Sequence, residues 1–234
     1  MNRIVFILAI ILSVGFWGCD RTQDLIPEHT YRIFPNETGK FRIMYVEDTT
    51  FTTQGIDFPV VDQFYKKEEI GDTVIDLTGR AVKELQVFRS ENEFGTEYRF
   101  QQDRVWTQFI LPQDGATYFA ERIEENDRTL VLKFPVFTGV VWNGNLYNDL
   151  DDQQFTYQSI DTTVTVRGRT FDQCVMVLRE QRDGIFNIYS YEIYAPDVGL
   201  IKKYARRLIF NSGGADPFND SESMIHYEEI VEYN

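Results

Sequence analysis

The sequence predicts a mainly β protein: a single antiparallel β domain, a sandwich or a curved half-open barrel, placed after a lipoprotein signal peptide. Three observations predict it. Short runs rich in β-branched and aromatic residues recur at roughly 8–12-residue spacing, divided by Gly, Asn, Asp and Pro. The composition, 43% hydrophobic and 15% aromatic, can fill a sizeable core and excludes a disordered or collagen-like chain. No shift in composition, internal repeat or low-complexity stretch divides the 234 residues, so one domain is expected.

The elements follow in order. Residues 1–18 have Arg3 ahead of the apolar run Ile4–Val14, which is interrupted at Ser13 and followed by Gly15 to Gly18. A basic start, a short apolar stretch and a small residue before the cut make a secretory signal. A spanning helix needs about 20 apolar residues, more than this run supplies. Gly18-Cys19 resembles a bacterial lipobox, which implies that Cys19 is lipidated and becomes the first mature residue. Removing residues 1–18 leaves 216 residues and, with Arg3 gone, takes the net charge from −14 to −15. Residues 19–30 then serve as the lipidated cysteine and a polar tether. Each buried acyl methylene contributes about 0.8 kcal/mol, so two or three chains hold the protein durably on a bilayer.

Residues 31–234 are expected to fold together. Their β-like runs are Phe41–Glu47, Val82–Arg89, Arg104–Leu111, Thr129–Phe134, Phe155–Ile160, Thr162–Arg167, Cys174–Arg179, Ile185–Tyr194 and Met224–Tyr233. In the last run Ile225, Tyr227, Val231 and Tyr233 share one face, with Glu229 intruding, and His226, Glu228 and Glu232 share the other. Leu200–Phe210 has apolar pairs every four residues, which fits a helix as well as a strand. The turn residues Pro196 to Gly199 before it favour a hairpin and hence a strand.

The acidic balance argues against nucleic acid, whose phosphates need a basic surface. With Cys19 acylated, Cys174 has no partner and reads as a buried, inert thiol. Two histidines, His29 and His226, cannot build a histidine zinc site. No serine-hydrolase, metalloprotease, P-loop or dinucleotide motif occurs, and nothing calls for a cofactor or names a catalytic residue. Glu124-Glu125 and Glu228-Glu229 are neighbours on extended chain, so each pair points to opposite faces and cannot flank one bond.

Three local features suggest binding. Asn145, Asp149, Asp151 and Asp152 concentrate oxygen ligands of the kind calcium takes, without EF-hand spacing. Trp142 and Tyr147 beside a turn could stack on a sugar, whereas Trp106 reads as core filling. Lys202, Lys203, Arg206 and Arg207 could meet phosphate, but read better as a charged edge strand or as partners of local carboxylates.

Several segments together carry a resemblance. They are Phe34-Pro35-Asn36-Glu37-Thr38-Gly39 leading to Tyr45-Val46, Lys133-Phe134-Pro135, Trp142-Asn143-Gly144-Asn145, Tyr147-Asn148 and Tyr194 through Lys202. In these the chain resembles a family of Bacteroidota envelope lipoproteins that has no assigned reaction. The resemblance implies an extracytoplasmic address, lipid-anchored and expected at the outer membrane, and a β-rich fold. Asp-Thr followed by an apolar residue or Thr also resembles the O-glycosylation pattern of that phylum, which marks Thr49, Thr73 and Thr162. The expected role is non-enzymatic binding of a glycan, a lipid or an envelope protein. The alternatives are a carrier of a hydrophobic ligand in a half-open barrel, which needs a large dry cavity, and a glycoside hydrolase, which needs two cleft carboxylates.

Overall fold

The computed structural model describes residues 32–51, 59–91, 98–112, 117–182, 186–210 and 223–234. The signal peptide, Cys19 and the tether lie outside them. Twelve strands form among the described residues: β1 (Phe41–Thr50), β2 (Val60–Ile75), β3 (Ala81–Ser90), β4 (Gln101–Pro112), β5 (Tyr118–Glu124), β6 (Asp127–Phe134), β7 (Val141–Asn143), β8 (Gln154–Val166), β9 (Arg169–Arg182), β10 (Phe186–Ala195), β11 (Gly199–Ile209) and β12 (Met224–Tyr233). They make one antiparallel sheet in the order β6-β5-β4-β3-β2-β1-β12-β11-β10-β9-β8-β7. Every pairing joins sequence neighbours except that of β1 with β12, and the sheet curls into a nearly closed barrel. The expected curved barrel is the form realised.

Local chemistry sets the turns. Glu125-Asn126 and Arg167-Gly168 both take positive φ at both positions, the two-residue hairpin turn whose twist matches the strands it joins. Phe155–Ile160 and Thr162–Arg167, two runs in the sequence, form one strand because Asp161 bulges with φ 54° and pairing resumes beyond it. Leu200–Phe210 is strand through Ile209, as the preceding turn favours. The sequence reading passed over β2, β5 and the three-residue β7. Strand β2 is dense in Asp, Lys and Glu, which hides it from a search for apolar runs.

The two border strands, β6 and β7, meet through individual hydrogen bonds and not a ladder. Leu130 N donates to Gly144 O at 2.9 Å, and the Trp142 indole donates to Leu130 O at 2.8 Å. Tyr157 closes the seam twice: its hydroxyl donates to Lys133 O at 2.6 Å and accepts from Lys133 N at 2.9 Å. These contacts leave little of either edge open to pairing with another chain.

One end of the barrel is plugged. Ile33 and Phe34 are buried there, Asp197 N donates to Arg32 O at 2.7 Å, and Arg32 ion-pairs with Asp197. Gln108 Nε2 donates to Pro35 O at 2.8 Å. Beneath the plug lies the apolar core, with Met44, Ala120, Leu132, Phe134, Tyr157, Ile201 and Ile230 all at 0–1% exposure.

Strand β12 turns the unexpected face inward. Glu228 (2% exposed) and Ile230 (1%) are buried and His226 is half-buried with them. Tyr227 sits on the outer face opposite Tyr204, which stacks on Tyr191 at 5.6 Å. The apolar stripe of this strand therefore joins an outer row of tyrosines, and the polar stripe enters the barrel.

Candidate functional site

Strand register carries charge into the middle of the barrel. Arg42 faces Glu68 across β1 and β2, Met44 faces Lys66, Lys203 faces Glu228 across β11 and β12, and Glu192 faces Lys203 across β10 and β11. All of these point inward, because side chains two apart share a face. The result is a belt of paired charges above the apolar core. Arg42 ion-pairs with Glu68. Lys66 Nζ lies 2.9 Å from Glu68 and 2.7 Å from Glu228. Lys203 Nζ lies 3.1 Å from Glu192, which also accepts the Tyr194 hydroxyl at 2.5 Å. His226 bridges two carboxylates, with Nδ1 2.5 Å from Asp48 and Nε2 2.7 Å from Glu228.

Burial alone would raise the pKa of these carboxyls, but the cations overcome it. Arg42, Lys66 and Arg122 hold Glu68 well below its usual range. Lys66 and the His226 hydrogen bond do the same for Glu228, and Lys203 and Tyr194 lower the pKa of Glu192. His226 is opposed by its own burial, yet the bonds from Asp48 and Glu228 raise it. The cations thus favour the ionised form of all three glutamates.

Above the belt, at the end away from the plug, lies a cavity of about 330 Å³. Trp106, Arg122, Glu124, Arg179, Ile188 and Met224 line it beside the belt residues Lys66, Lys203, His226 and Glu228. Several buried polar atoms of the lining residues have no hydrogen-bond partner among the described residues: Trp106 Nε1, Arg122 Nε, Arg179 Nε and Glu228 Oε2. Arg122 reaches Glu124 only at 3.7 Å, too far for a hydrogen bond. No ion pair to Arg179 exists among the described residues. Its guanidinium lies 5.7 Å from the centre of the Phe155 ring, and burial lowers its pKa, with only partial relief from the charge of Glu192. Chemically the cavity can hold a polar or charged small molecule.

The residues singled out in the sequence are distributed otherwise. Trp142 is not available to a sugar: it is 5% exposed, packed edge-on against Phe155 at 5.7 Å and tilted on Tyr157 at 4.9 Å. Trp106, expected in the core, is the tryptophan that lines the cavity. Tyr147 is half-buried with the Arg128 guanidinium 4.9 Å from its ring. In the Asn-rich loop, where calcium ligands were expected, the asparagine side chains bond within the loop and to β6. Asn145 Nδ2 donates to Asp151 O at 2.7 Å, Asn143 Nδ2 to Asp152 Oδ1 at 2.7 Å, and Asn148 Nδ2 to Arg128 O at 2.9 Å. Asp149 and Asp151 are exposed, and no three His, Cys, Asp or Glu side chains converge as a metal site among the described residues. The loop is a latch beside the β6–β7 seam.

The basic cluster of β11 does not lie on a sheet edge, because β11 runs between β10 and β12. It divides across the two faces: Lys203 enters the belt, whereas Lys202 stays outside, 3.4 Å from Glu229. Glu228 and Glu229 accordingly face opposite ways. Cys174 is free and fully buried, and burial pushes its thiol up to about 11. Thr73 is exposed on β2, Thr49 is half-buried on β1, and Thr162 is half-buried with its hydroxyl donating to Cys174 O at 3.3 Å.

The cavity residues were hidden in the sequence by their type. Lys66 and Glu68, two apart, alternate like a strand face, but a charged face is ordinarily read as solvated. The signal that could have found them is a complementary set two apart in other strands, such as His226 and Glu228.

No family model matches the chain, and no curated protein matches it. Two crystal structures are similar to it at a distance. One, from Bacteroides fragilis, is described as an exported protein with a YmcC-like fold, with 13% identity, a TM-score of 0.35, and 86% of this chain and 98% of that one covered. The other, from Parabacteroides distasonis, is described as a lipoprotein, with 10% identity, a TM-score of 0.36 and the same shares covered.

Proposed function

We propose that the chain is an extracytoplasmic lipoprotein, anchored at the outer membrane through Cys19, whose barrel is a non-enzymatic binding module for a polar small molecule. The signal sequence and Gly18-Cys19 support the address and the anchor. One observation carries the binding role: the cavity above the charged belt, whose lining residues have indole and guanidinium N–H groups without a partner among the described residues. Buried donors are ordinarily satisfied, and leaving one unmade costs about 1–3 kcal/mol.

The interior argues against an acyl carrier, because side chains fill the plugged half and ion pairs cross the middle. It argues against a glycosidase as well. A general acid needs a raised pKa, and Glu68, Glu192 and Glu228 are all shifted down.

Two measurements on the full-length chain test the reading. Palmitate labelling in cells should mark the wild type and leave Cys19→Ala unlabelled. A thermal-shift screen of the detergent-extracted protein against polar small molecules should give stabilising hits that Trp106→Ala abolishes. A labelled Cys19→Ala chain, or hits indifferent to Trp106→Ala, would overturn the corresponding half.

A further inference from the structure

The cavity is not evenly charged, and the imbalance specifies a ligand class. Of the inward cations, Arg42 and Lys66 reach Glu68, Lys66 also reaches Glu228, and Lys203 reaches Glu192. Arg179 has neither ion pair nor hydrogen bond to a carboxylate among the described residues, and Arg206 in the same lining has only a 3.5 Å contact with Asn187 Oδ1. Arg122, also in the lining, has only the 3.7 Å approach to Glu124. The chain carries 37 acidic against 23 basic side chains, yet among the described residues no carboxylate forms an ion pair with Arg179. An unpaired guanidinium drawn out of water is unfavourable for folding.

We infer that the cavity takes a small organic oxyanion, a carboxylate or a phosphate monoester, held by Arg179 and Arg122 with its flatter, less polar face against Trp106. This rests on the binding role proposed above and adds the charge and size of the ligand. Guanidinium groups present paired N–H donors that match the two oxygens of a carboxylate or phosphate. The Nε atoms of both arginines are buried and unpartnered, as the free arm of such a fork would be. The Trp106 side chain, its indole N–H without a partner among the described residues, lines the same cavity. Glu228 also lines the cavity with its Oε2 unpartnered, and its charge is offset by Lys66 and His226 on Oε1. The volume of about 330 Å³ stands at the low end for small-molecule clefts and fits a molecule near the size of a monosaccharide derivative.

The test uses the detergent-extracted full-length chain and three probes with one sugar body: glucose, glucuronate and glucose 6-phosphate, titrated calorimetrically at low salt. The two anions should bind at least tenfold more tightly than glucose, and less tightly as salt is raised. Preference for glucuronate assigns a carboxylate site, and preference for glucose 6-phosphate a phosphate site. Arg179→Gln should weaken anion binding at least tenfold while its melting temperature stays level or rises, because an uncompensated buried charge has been removed. Arg179→Lys should keep part of the affinity. Equal binding of glucose and the anions, or anion binding unchanged in Arg179→Gln, overturns the oxyanion inference and leaves the binding role standing. A marked loss of stability in Arg179→Gln also overturns it, by making Arg179 structural. No binding of any probe, together with no hit in the polar screen, removes both.

Discussion

Replacing Glu68 with glutamine keeps the shape of the belt and removes one charge from its centre. The side chain is 1% exposed and receives Arg42 and Lys66, whose side chains are 9% and 13% exposed. Lys66 keeps Glu228 at 2.7 Å, so the main loss falls on Arg42, left buried without its counter-charge. Removing one partner of a buried pair costs about 3–5 kcal/mol, and the surviving Lys66–Glu228 contact puts the expectation near the lower end, about 3 kcal/mol. For a domain of this size each kcal/mol shifts the melting temperature by about 2–4 °C, so the fall should be about 6–12 °C. Urea unfolding followed by tryptophan fluorescence at pH 7 provides the free energy. The double replacement Arg42→Met with Glu68→Leu removes both charges together and should recover at least half of the loss, since an apolar pair of similar volume often matches a buried ion pair. Glu68→Gln within about 0.5 kcal/mol of wild type would refute the reasoning, because surface changes fall in that range. A double variant no better than the single would refute it too.

Further outcomes follow from the same geometry. Glu68, Glu192 and Glu228 are all held below their unfolded pKa, so their contribution is complete above about pH 4.5 and is lost as pH falls through the folded values; denaturant midpoints measured from pH 7 to pH 3 should drop steeply below pH 4.5, and less steeply in Glu68→Gln. His226 has the opposite sign: its raised pKa stabilises the fold most below its unfolded value of 6.5 and less as pH rises through the folded one, so His226→Gln should cost more stability at pH 6 than at pH 9. Tyr157→Phe removes both seam bonds to Lys133 and should cost about 1–3 kcal/mol, with the Lys133 amide exchanging faster in deuterium while core amides of β10 and β11 keep their ranking. Cys174, buried and shifted up to about 11, should resist maleimide at pH 8 in the native state and react fully in urea.

The strands that bury apolar stripes were legible. Met224–Tyr233 was read with its bounds correct, and Val82–Arg89 and Thr129–Phe134 to within a residue or two. Strand β2 was not, because its inward residues Lys66 and Glu68 look like solvated ones until the partners on β1 and β12 are known. The same cause inverted β12: the sequence shows which residues share a face but not which face meets a charged interior. The two tryptophans exchanged roles for a related reason. Trp142 stands beside a turn, which suggests exposure, yet the turn folds against the barrel seam and the indole N–H finds Leu130 O. Cys174 and the direction of Glu228 and Glu229 needed only strand periodicity, and both were read correctly.

The plug gathers the first and last described residues at one end of the barrel. The chain enters the barrel at the end closed by Ile33 and Phe34 and finishes there too, where the Asn234 side chain accepts the Phe41 amide at 2.7 Å and donates to Gly39 O at 3.1 Å. The cavity lies toward the opposite end, where its lining includes Met224 at the start of β12, about 30 Å of strand from Tyr233. Plug and cavity thus draw on different residues, so either can be altered by substitution without touching the other.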